Sequence, residues 1–331
     1  MSDPARLRVL SASEVRRALP MAEAVAAMKE AFRELSAGAA VVPPRARIRV
    51  EERGGDVLVM PAYSPAAGRV GLKVITLFER NREIGLPFIQ AVVLVIDAAT
   101  GAPAALMDGT ALTAVRTGAA SGAATDLLAR PDVRKAAIFG AGLQARAQLE
   151  AVRAVRPIAE VAVFDPDRGR AVEFAARAAR ELGLTASAAA TPAEALAGAD
   201  VVCTATTAVT PVFADADLAP GSHVNAVGSY KPRVREIPSE TVARALVFVD
   251  QREAAWEEAG DLIMPLEAGL ITRDHVLAEL GEVVAGTRPG RRGPGDVTLF
   301  KSVGLAVQDL AAAARALANA EKLGLGSSVA L

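Results

Sequence analysis

Hydrophobic and polar positions alternate in two different ways along this chain, and the change of pattern divides it into two predicted regions. In the first region, residues 45–50 alternate arginine with small or apolar residues, which is the two-residue period of a strand with two unlike faces. Further apolar runs predict strands at 57–60, 70–77 and 89–96, after two short helices within residues 11–36. The first third is therefore predicted to be a mixed α+β domain.

The middle of the chain follows the second pattern, in which short apolar runs alternate with helical stretches. Strands are predicted at 136–139, 161–164, 201–204, 224–227 and 247–249, and helices at 143–155 and 168–182. This alternation is typical of a parallel sheet that is covered by helices on both faces. A preceding helix from Thr110 is interrupted around Pro131, which predicts a domain boundary nearby.

The end of the chain returns to a strand at 297–300 and then forms a long alanine-rich helix that stops at Gly324. Because an α/β domain is already complete before this helix, we expect the helix to pack back onto the first domain. The sequence thus predicts an α/β protein with two domains. One is a doubly wound parallel sheet over residues 119–297, and the other is an α+β domain built from residues 1–118 and 298–331.

Composition excludes several classes of partner. Lysine and arginine (37) nearly balance aspartate and glutamate (38), so the net charge of -1 provides no positive field for nucleic acid or anionic lipid. One cysteine and two histidines cannot assemble a zinc-ligand cluster, so no metal is expected. No uncharged apolar run reaches the ~20 residues of a membrane-spanning helix, and the chain start lacks a signal-peptide pattern. We expect a cytoplasmic protein without a nucleic-acid or membrane partner.

The most informative motif is the turn Gly140-Ala141-Gly142-Leu143-Gln144-Ala145, which follows a predicted strand and opens a predicted helix. The unpaired amides of such a helix start can bind a pyrophosphate, as in a Rossmann dinucleotide fold. Asp165 ends the next strand, 20 residues after Ala145, where its carboxylate can accept hydrogen bonds from ribose hydroxyls. This arrangement favours NAD(H), whereas the nearby Arg168 leaves NADP(H) open. A turn or helix cap is the alternative role for Asp165.

Two further predicted strand ends, at residues 204–207 and 225–228, would face the same crevice, because open parallel sheets bind ligands at their carboxyl edge. Their small and hydroxylic residues would let a dinucleotide lie against the backbone. An ordinary loop would use similar residues, so these segments alone do not decide between the two interpretations.

Taken together, the motifs resemble those of the ornithine cyclodeaminase/mu-crystallin family, and the resemblance covers nearly the whole chain. The segments that carry it are Met60-Pro61-Ala62, Gly71-Leu72-Lys73, Arg116-Thr117, residues 140–144, Asn225-Ala226-Val227-Gly228 and Phe300-Lys301-Ser302-Val303-Gly304. The resemblance implies a homodimer that binds a nicotinamide dinucleotide. It also implies that the amino-terminal segment and the last helix form a substrate-binding and dimerisation domain beside the Rossmann domain.

Site residues follow from the resemblance position by position. Arg45, Lys73 and Arg116 correspond to positions around a substrate carboxylate, with Arg116 also beside the nicotinamide ribose and Val303 at the wall of the substrate pocket. The chemistry agrees, because a guanidinium fork matches a carboxylate and a partly buried lysine can exchange protons near neutral pH. A surface lysine and a solvated strand face are the alternatives for Lys73 and the arginines. The predicted cofactor contacts are Arg116, Gly140, Ala141, Gly142, Leu143, Gln144, Asp165, Arg168, Thr206, Asn225, Ala226, Val227, Gly228 and Ser302.

The chain departs from the family's cyclodeaminases at Tyr230, where those enzymes carry an aspartate two residues after the Asn-Ala-Val-Gly run. A phenol cannot replace a carboxylate in binding an ammonium group at neutral pH. We therefore expect an NAD(P)H-dependent reductase or dehydrogenase that acts on a small α-imino acid. The candidate substrates are Δ1-pyrroline-2-carboxylate, Δ1-piperideine-2-carboxylate and the iminopyruvate of an alanine dehydrogenase. Ornithine cyclodeaminase is one alternative, and a crystallin-like protein that binds a nucleotide or small ligand without turnover is the other.

Overall fold

The computed structural model describes residues 6–331, apart from the side chain of Arg82, and the chain divides into two compact units. The first unit runs to Arg116 and resumes at Leu305, and the second comprises Thr117–Gly304. The strands are β1 Arg6–Leu10, β2 Ala46–Val50, β3 Gly55–Ser64, β4 Arg69–Phe78, β5 Ile89–Asp97, β6 Pro103–Asp108, β7 Lys135–Phe139, β8 Glu160–Phe164, β9 Thr185–Ala188, β10 Val201–Thr204, β11 His223–Ala226, β12 Leu246–Val249, β13 Val276–Glu279, β14 Thr298–Lys301 and β15 Ser327–Ala330. The α-helices are α1 Ala12–Ala18, α2 Met21–Ser36, α3 Gly109–Leu128, α4 Leu143–Val155, α5 Arg168–Leu182, α6 Pro192–Leu196, α7 Ser239–Arg244, α8 Arg252–Glu258, α9 Gly260–Glu267, α10 Leu280–Val284 and α11 Ala306–Leu323.

The first unit is built on a sheet whose described strands lie in the order β15-β1-β6-β5-β4-β3-β2. Strands β2 to β6 are antiparallel neighbours, and β1 joins β6 in parallel. Helix α11 packs on β3 and β4 and against α2. The approach is close at Gly71 of β4, because a Cβ atom added there would lie 2.9 Å from Cδ1 of Leu310. Glycine at this position therefore lets the last helix sit directly on the strand that carries Lys73.

The second unit contains a sheet of parallel strands in the order β13-β12-β14-β11-β10-β7-β8-β9. Alternate residues of one strand point to opposite faces, and both faces of this sheet are buried. In β7, Ala137 and Phe139 belong to one hydrophobic cluster, and Ala136 and Ile138 belong to another. The predicted α/β class with a doubly wound parallel sheet is thus confirmed.

Strand β14 lies between β11 and β12 in the sheet of the second unit. Residues 298–331 were predicted to belong to the other domain, whereas the first unit resumes only at Leu305. The physical reason is that a short apolar run predicts a strand but does not specify which sheet it joins. The strand β14 itself was predicted, but strands β9 and β13 were not, because neither has the continuous run of large apolar residues that marked the predicted strands.

Residues 6–331 contain neither a membrane-spanning helix nor a cluster of metal-binding side chains. Within that range, no helix is long and apolar enough to cross a membrane. No group of three or more histidine, cysteine, aspartate or glutamate residues in that range could hold a metal ion. The expected cytoplasmic location stays a prediction.

Candidate active site

The glycine turn after β7 adopts a backbone that requires glycine at its first position. Gly140 has a φ of 96°, in the left-handed region that other residues rarely enter. A Cβ atom added to Gly140 would also lie 2.6 Å from the carbonyl oxygen of Ala205, which follows β10. Any side chain at this position would collide with the neighbouring loop, so Gly140 has a structural role in the turn.

Gly142 has a different role, because little protein surrounds its Cα atom. A Cβ atom added there would meet only the guanidinium of Arg170, at 3.9 Å. Gly142 is also the N-cap of α4, and no side chain caps this helix start. The first amides of α4, beginning with Leu143 and Gln144, therefore lack acceptors within the helix. An open cradle with a positive helix end fits a pyrophosphate group.

Asp165 follows β8 and binds the glycine turn directly. Its Oδ2 accepts a hydrogen bond from the amide of Ala141 at 2.9 Å, and its Oδ1 accepts one from the amide of Asp167 at 3.0 Å. Each carboxylate oxygen can accept more than one bond, so the two oxygens retain capacity for ribose hydroxyls. Arg168 is exposed at the start of α5, and Arg170 Nη1 lies 3.9 Å from Oδ2 of Asp165.

At the carboxyl edge of the sheet, a buried glutamate joins the loops that follow two strands. Its role was not predicted from the sequence. Glu236 accepts hydrogen bonds from the hydroxyl of Thr204, from the amide and hydroxyl of Thr206, and from the amide of Gly228, all at 2.7–2.9 Å. Burial raises the pKa of this carboxyl, and the Lys301 ammonium opposes that rise. Glu236 therefore connects the ends of β10 and β11, where the sequence predicted cofactor contacts.

Gly228 allows this connection because its Cα lies against the carboxylate. A Cβ atom added there would be 2.4 Å from Oε1 of Glu236 and 2.5 Å from the carbonyl oxygen of Thr206. Asp261 lies behind Glu236. Its Oδ1 accepts a hydrogen bond from the backbone amide of Glu236 at 2.7 Å, and its Oδ2 lies 2.8 Å from Nζ of Lys301. The network is fully buried, so these loops are held by charged contacts that water does not reach.

The segment after β14 is held in the same way by a second buried carboxylate. Asp250 accepts from the hydroxyl of Ser302 at 2.8 Å and from the amides of Val303 and Gly304 at 2.9 Å. Burial raises the pKa of Asp250. Ser302 and Val303, predicted to contact cofactor and substrate respectively, are therefore fixed by backbone and side-chain bonds to Asp250.

Asn225 was predicted as a cofactor contact, but its side chain is directed into the second unit. Its amide donates to the hydroxyl of Thr125 at 3.0 Å, and its oxygen lies 3.2 Å from Nε2 of His223. Burial lowers the pKa of His223 to about 3, so this imidazole is neutral at physiological pH. The side chain of Asn225 thus holds β11 to α3, while the strand ends at Ala226 and Val227 leads to Gly228.

In the first unit, two of the predicted substrate residues meet a carboxylate that was not predicted. Lys73 Nζ donates to Oδ2 of Asp309 at 2.5 Å, and Arg116 Nε donates to Oδ1 of the same carboxylate at 2.9 Å. Arg116 Nη1 also donates to the Gln308 oxygen at 2.7 Å. These four residues, Lys73, Arg116, Gln308 and Asp309, are called the cationic cluster below. The cluster joins β4, α3 and α11, and each of its members is at most 6 % exposed.

The protonation of Lys73 depends on opposing effects. Burial lowers its pKa to about 8, with a contribution from the charges of Arg116 and Arg45, while Asp309 acts in the opposite direction. The residues paired with Lys73 on the neighbouring strands are Met60 and Val93, which carry no charge. Lys73 is thus predominantly an ammonium at neutral pH, but it can release its proton more readily than an ordinary lysine.

The three arginines predicted on one face of β2 do not share one environment. Arg47 and Arg49 are exposed and pair with Asp56 on β3, at 2.8 and 3.1 Å. For these two, the solvated strand face is the correct interpretation. Arg45 is half-buried just before β2, and its charge acts on Lys73.

Gln308 and Asp309 were missed because their signal in the sequence is slight. They are two adjacent polar residues in the otherwise apolar start of α11, and both are buried. A buried charge needs a partner, so a carboxylate on the core face of a helix is itself an indication of a site.

Tyr230, at the position of the cyclodeaminase aspartate, is half-buried, with the Lys231 ammonium 5.9 Å from its ring centre.

Known proteins resemble this chain in both sequence and fold. The model of the ornithine cyclodeaminase/mu-crystallin family matches residues 6–322. A Δ1-pyrroline-2-carboxylate reductase of Bacillus cereus is 39% identical over 322 residues, which are 97% of this chain and 99% of that protein.

Two solved structures have the same fold over nearly their whole length. The Δ1-pyrroline-2-carboxylate reductase of Thermococcus litoralis, in complex with NADH and L-proline, has a TM-score of 0.93 and 41% identity, covering 98% of this chain and 100% of that one. An archaeal alanine dehydrogenase dimer with bound NAD has a TM-score of 0.90 and 35% identity, covering 98% of this chain and 99% of that one.

Proposed function

Because the chain belongs to the ornithine cyclodeaminase/mu-crystallin family, as its motifs predict, we propose that it is an NADH-dependent reductase of a small cyclic α-imino acid. Its substrate would be Δ1-pyrroline-2-carboxylate, for which the similar reductases of Bacillus cereus and Thermococcus litoralis are named, and its product would be L-proline, which the Thermococcus litoralis structure contains. The observation that carries this proposal is the buried cationic cluster. The predicted enzyme class, an NAD(P)-dependent oxidoreductase, is supported by the same relatives.

The cationic cluster is suited to an imino-acid carboxylate because its charges do not balance. Lys73 and Arg116 contribute two positive charges, and Asp309 contributes one negative charge. The nearby Arg45 makes the potential at Lys73 more positive. An unbalanced buried charge is unfavourable, and the carboxylate of the substrate would restore the balance. Arg116 and Lys73 would each donate to it through hydrogen atoms that do not face Asp309.

Lys73 would also supply the proton that the reaction consumes. Reduction of a cyclic C=N bond adds a hydride to the carbon and a proton to the nitrogen, and the double bond becomes a single bond. When bound, reduced nicotinamide supplies the hydride. The Lys73 ammonium, with its pKa lowered to about 8, holds a transferable proton near neutral pH and regains it from solvent.

The second unit would hold the dinucleotide. Gly142 and the first amides of α4 would receive the pyrophosphate, and Asp165 would accept from the adenosine ribose hydroxyls. Glu236 fixes the loops at Thr206 and Gly228, and these loops would form the rest of the dinucleotide site at the carboxyl edge of the sheet. A carboxylate at position 165 repels a 2′-phosphate, which favours NADH over NADPH. The exposed Arg168 is the residue through which NADPH would be accepted.

We propose that the protein is a homodimer that associates through the β2–β5 side of the first unit. Large apolar side chains are exposed there: Ile84 at 70%, Ile48 at 58%, Val41 at 54%, and Leu86, Val92, Ile89 and Tyr63 at 36–48%. Exposure of several large apolar side chains on neighbouring strands and their connecting segments is typical of an association surface. The similar archaeal alanine dehydrogenase is described as a dimer.

The proposal is tested by following NADH and NADPH oxidation with Δ1-pyrroline-2-carboxylate, Δ1-piperideine-2-carboxylate, and pyruvate plus ammonia. We expect the five-membered imine with NADH to give the highest kcat/KM. Lys73→Ala should abolish turnover and leave NADH binding intact, whereas Lys322→Ala, on the exposed end of α11, should retain both. Release of ammonia from ornithine without added reductant would instead identify a cyclodeaminase. Tight NADH binding with no turnover would identify a binding protein.

A further inference from the structure

Gln308 has an unused hydrogen-bond donor inside the cationic cluster. Its side chain is fully buried in the first turn of α11. Its oxygen accepts from Arg116 Nη1, but its amide nitrogen, Nε2, has no hydrogen-bond partner within residues 6–331. Buried polar atoms are nearly always paired in folded proteins. An orphan donor at this position therefore indicates an acceptor that comes from outside the chain.

The orientation of the Gln308 amide is fixed by chemistry. The oxygen and nitrogen of an amide are similar in size and could exchange places. Here the neighbour is an arginine Nη1, which can only donate, so the oxygen must face it at 2.7 Å. The nitrogen is consequently the atom that remains, and no rotation of the amide would pair it without losing the bond to Arg116.

The missing partner must be an acceptor, and the surrounding charges favour an anion. Lys73 and Arg116 are both cations, and Asp309 already accepts from each of them. The Gln308 oxygen and nitrogen are bonded to the same carbon, so Nε2 lies beside the guanidinium of Arg116. A carboxylate that binds Arg116 is thus within reach of the amide nitrogen as well.

We propose that Gln308 is a substrate-binding residue that determines specificity, with its amide nitrogen donating to the carboxylate that Lys73 and Arg116 bind. This inference rests on the proposed function and adds a neutral third donor to two charged ones. A site with an otherwise unsatisfied donor discriminates against ligands that lack the matching acceptor. Gln308 therefore favours imino acids with an ionised α-carboxylate over their amides and decarboxylated imines.

The decisive variant is Gln308→Glu, because glutamate has nearly the same shape. One carboxylate oxygen can still accept a hydrogen bond from Arg116. The other oxygen puts a negatively charged acceptor where the amide nitrogen of Gln308 was a donor. We expect the KM for Δ1-pyrroline-2-carboxylate to rise by about 30-fold or more, which is the scale of losing a hydrogen bond to a charged group. The kcat at saturation should change by less than about threefold, since the proton donor is retained. The affinity for NADH should not change.

Two further variants separate substrate binding from structural damage. Ala318→Glu adds the same charge to the exposed side of α11, and its KM should equal that of the wild type. Gln308→Met removes the donor without adding charge, and its KM should rise by about tenfold. In both Gln308 variants, L-proline should raise the melting temperature less than it does in the wild type.

The outcomes distinguish this proposal from the proposed function. If the wild type reduces the imine and Gln308→Glu has the same KM, Gln308 has no role in substrate binding although the enzyme is correctly identified. If the wild type reduces no imino acid, the proposed function fails. In that event, calorimetric titration of L-proline into the wild type and into Gln308→Glu still tests the contact. Weaker L-proline binding by the variant supports it. Equal binding by the two proteins, or no binding by the wild type, overturns it.

Discussion

At the level of single residues, the charge of Asp309 controls how readily Lys73 gives up its proton. The carboxylate opposes the effects of burial and of Arg116 and Arg45, which together lower the pKa of the lysine to about 8. Removal of the negative charge should therefore lower that pKa further. Because reduction requires the protonated lysine, kcat/KM falls above the pKa, and the basic limb of the pH profile reports it.

We predict that Asp309→Asn moves the basic limb of kcat/KM to lower pH than in the wild type. For each pH unit by which the limb moves, activity on the alkaline side falls about tenfold. The measurement is the pH dependence of imine reduction from about pH 6 to 10, the range in which Lys73 can titrate. Asp274→Asn, at an exposed position of the second unit, is the control. A basic limb that stays at the wild-type pH in Asp309→Asn would exclude this role for Asp309.

Two glycines of one turn should respond differently to the same substitution. An alanine Cβ at Gly140 would lie 2.6 Å from a carbonyl oxygen, on a backbone with φ of 96°, whereas at Gly142 the nearest atom is 3.9 Å away. We predict that Gly140→Ala lowers the melting temperature of the ligand-free protein. Gly142→Ala should have a much smaller effect on melting but should weaken NADH binding by about tenfold or more, the scale of one lost contact. Calorimetric titration and thermal melting measure both, and wild-type affinity in Gly142→Ala would contradict a pyrophosphate at this helix start.

At the scale of elements, buried carboxylates hold the loops that follow the parallel strands. Glu236 receives four hydrogen bonds from the ends of β10 and β11, and a glutamine has only one oxygen to accept them. We predict that Glu236→Gln weakens NADH binding by about tenfold, since unsatisfied buried donors cost about 1–3 kcal/mol. The exposed Glu240→Gln is the matched control. If fluorescence titration gives equal NADH affinity for Glu236→Gln and wild type, the loops do not need this carboxylate.

The sequence allowed the elements of the second unit to be predicted more fully than the contacts between them. Strands such as β7 and β10 are continuous apolar runs, and the glycine turn and Asp165 have characteristic spacings. Strand β14 was recognised as a strand but its residues were placed in the other domain, because strand pairing depends on the whole fold. Glu236 and Asp309 escaped notice because important partners are distant in sequence. Thr206 is 30 residues from Glu236, and Arg116 is 193 residues from Asp309.

At the scale of the whole molecule, the exposed apolar side of the first unit predicts an oligomer. Wild-type protein should sediment at twice the chain mass. The double variant Ile48→Glu with Ile84→Glu should sediment as a monomer, because charges would be buried without partners at the contact. Val172→Glu, at a residue of α5 that is 50% exposed, should stay dimeric. A double variant that remains fully dimeric by analytical ultracentrifugation would place the association surface elsewhere.

The proposed activity is one chemical event, the addition of a hydride to the imine carbon of a bound imino acid. It can be followed with NADH that carries two deuterium atoms at C4 of the nicotinamide. Incubation with Δ1-pyrroline-2-carboxylate should give L-proline with one deuterium at C2, in an amount equal to the NADH consumed. Proline without the label, or no proline at all, would contradict a hydride transfer from NADH to the imine carbon.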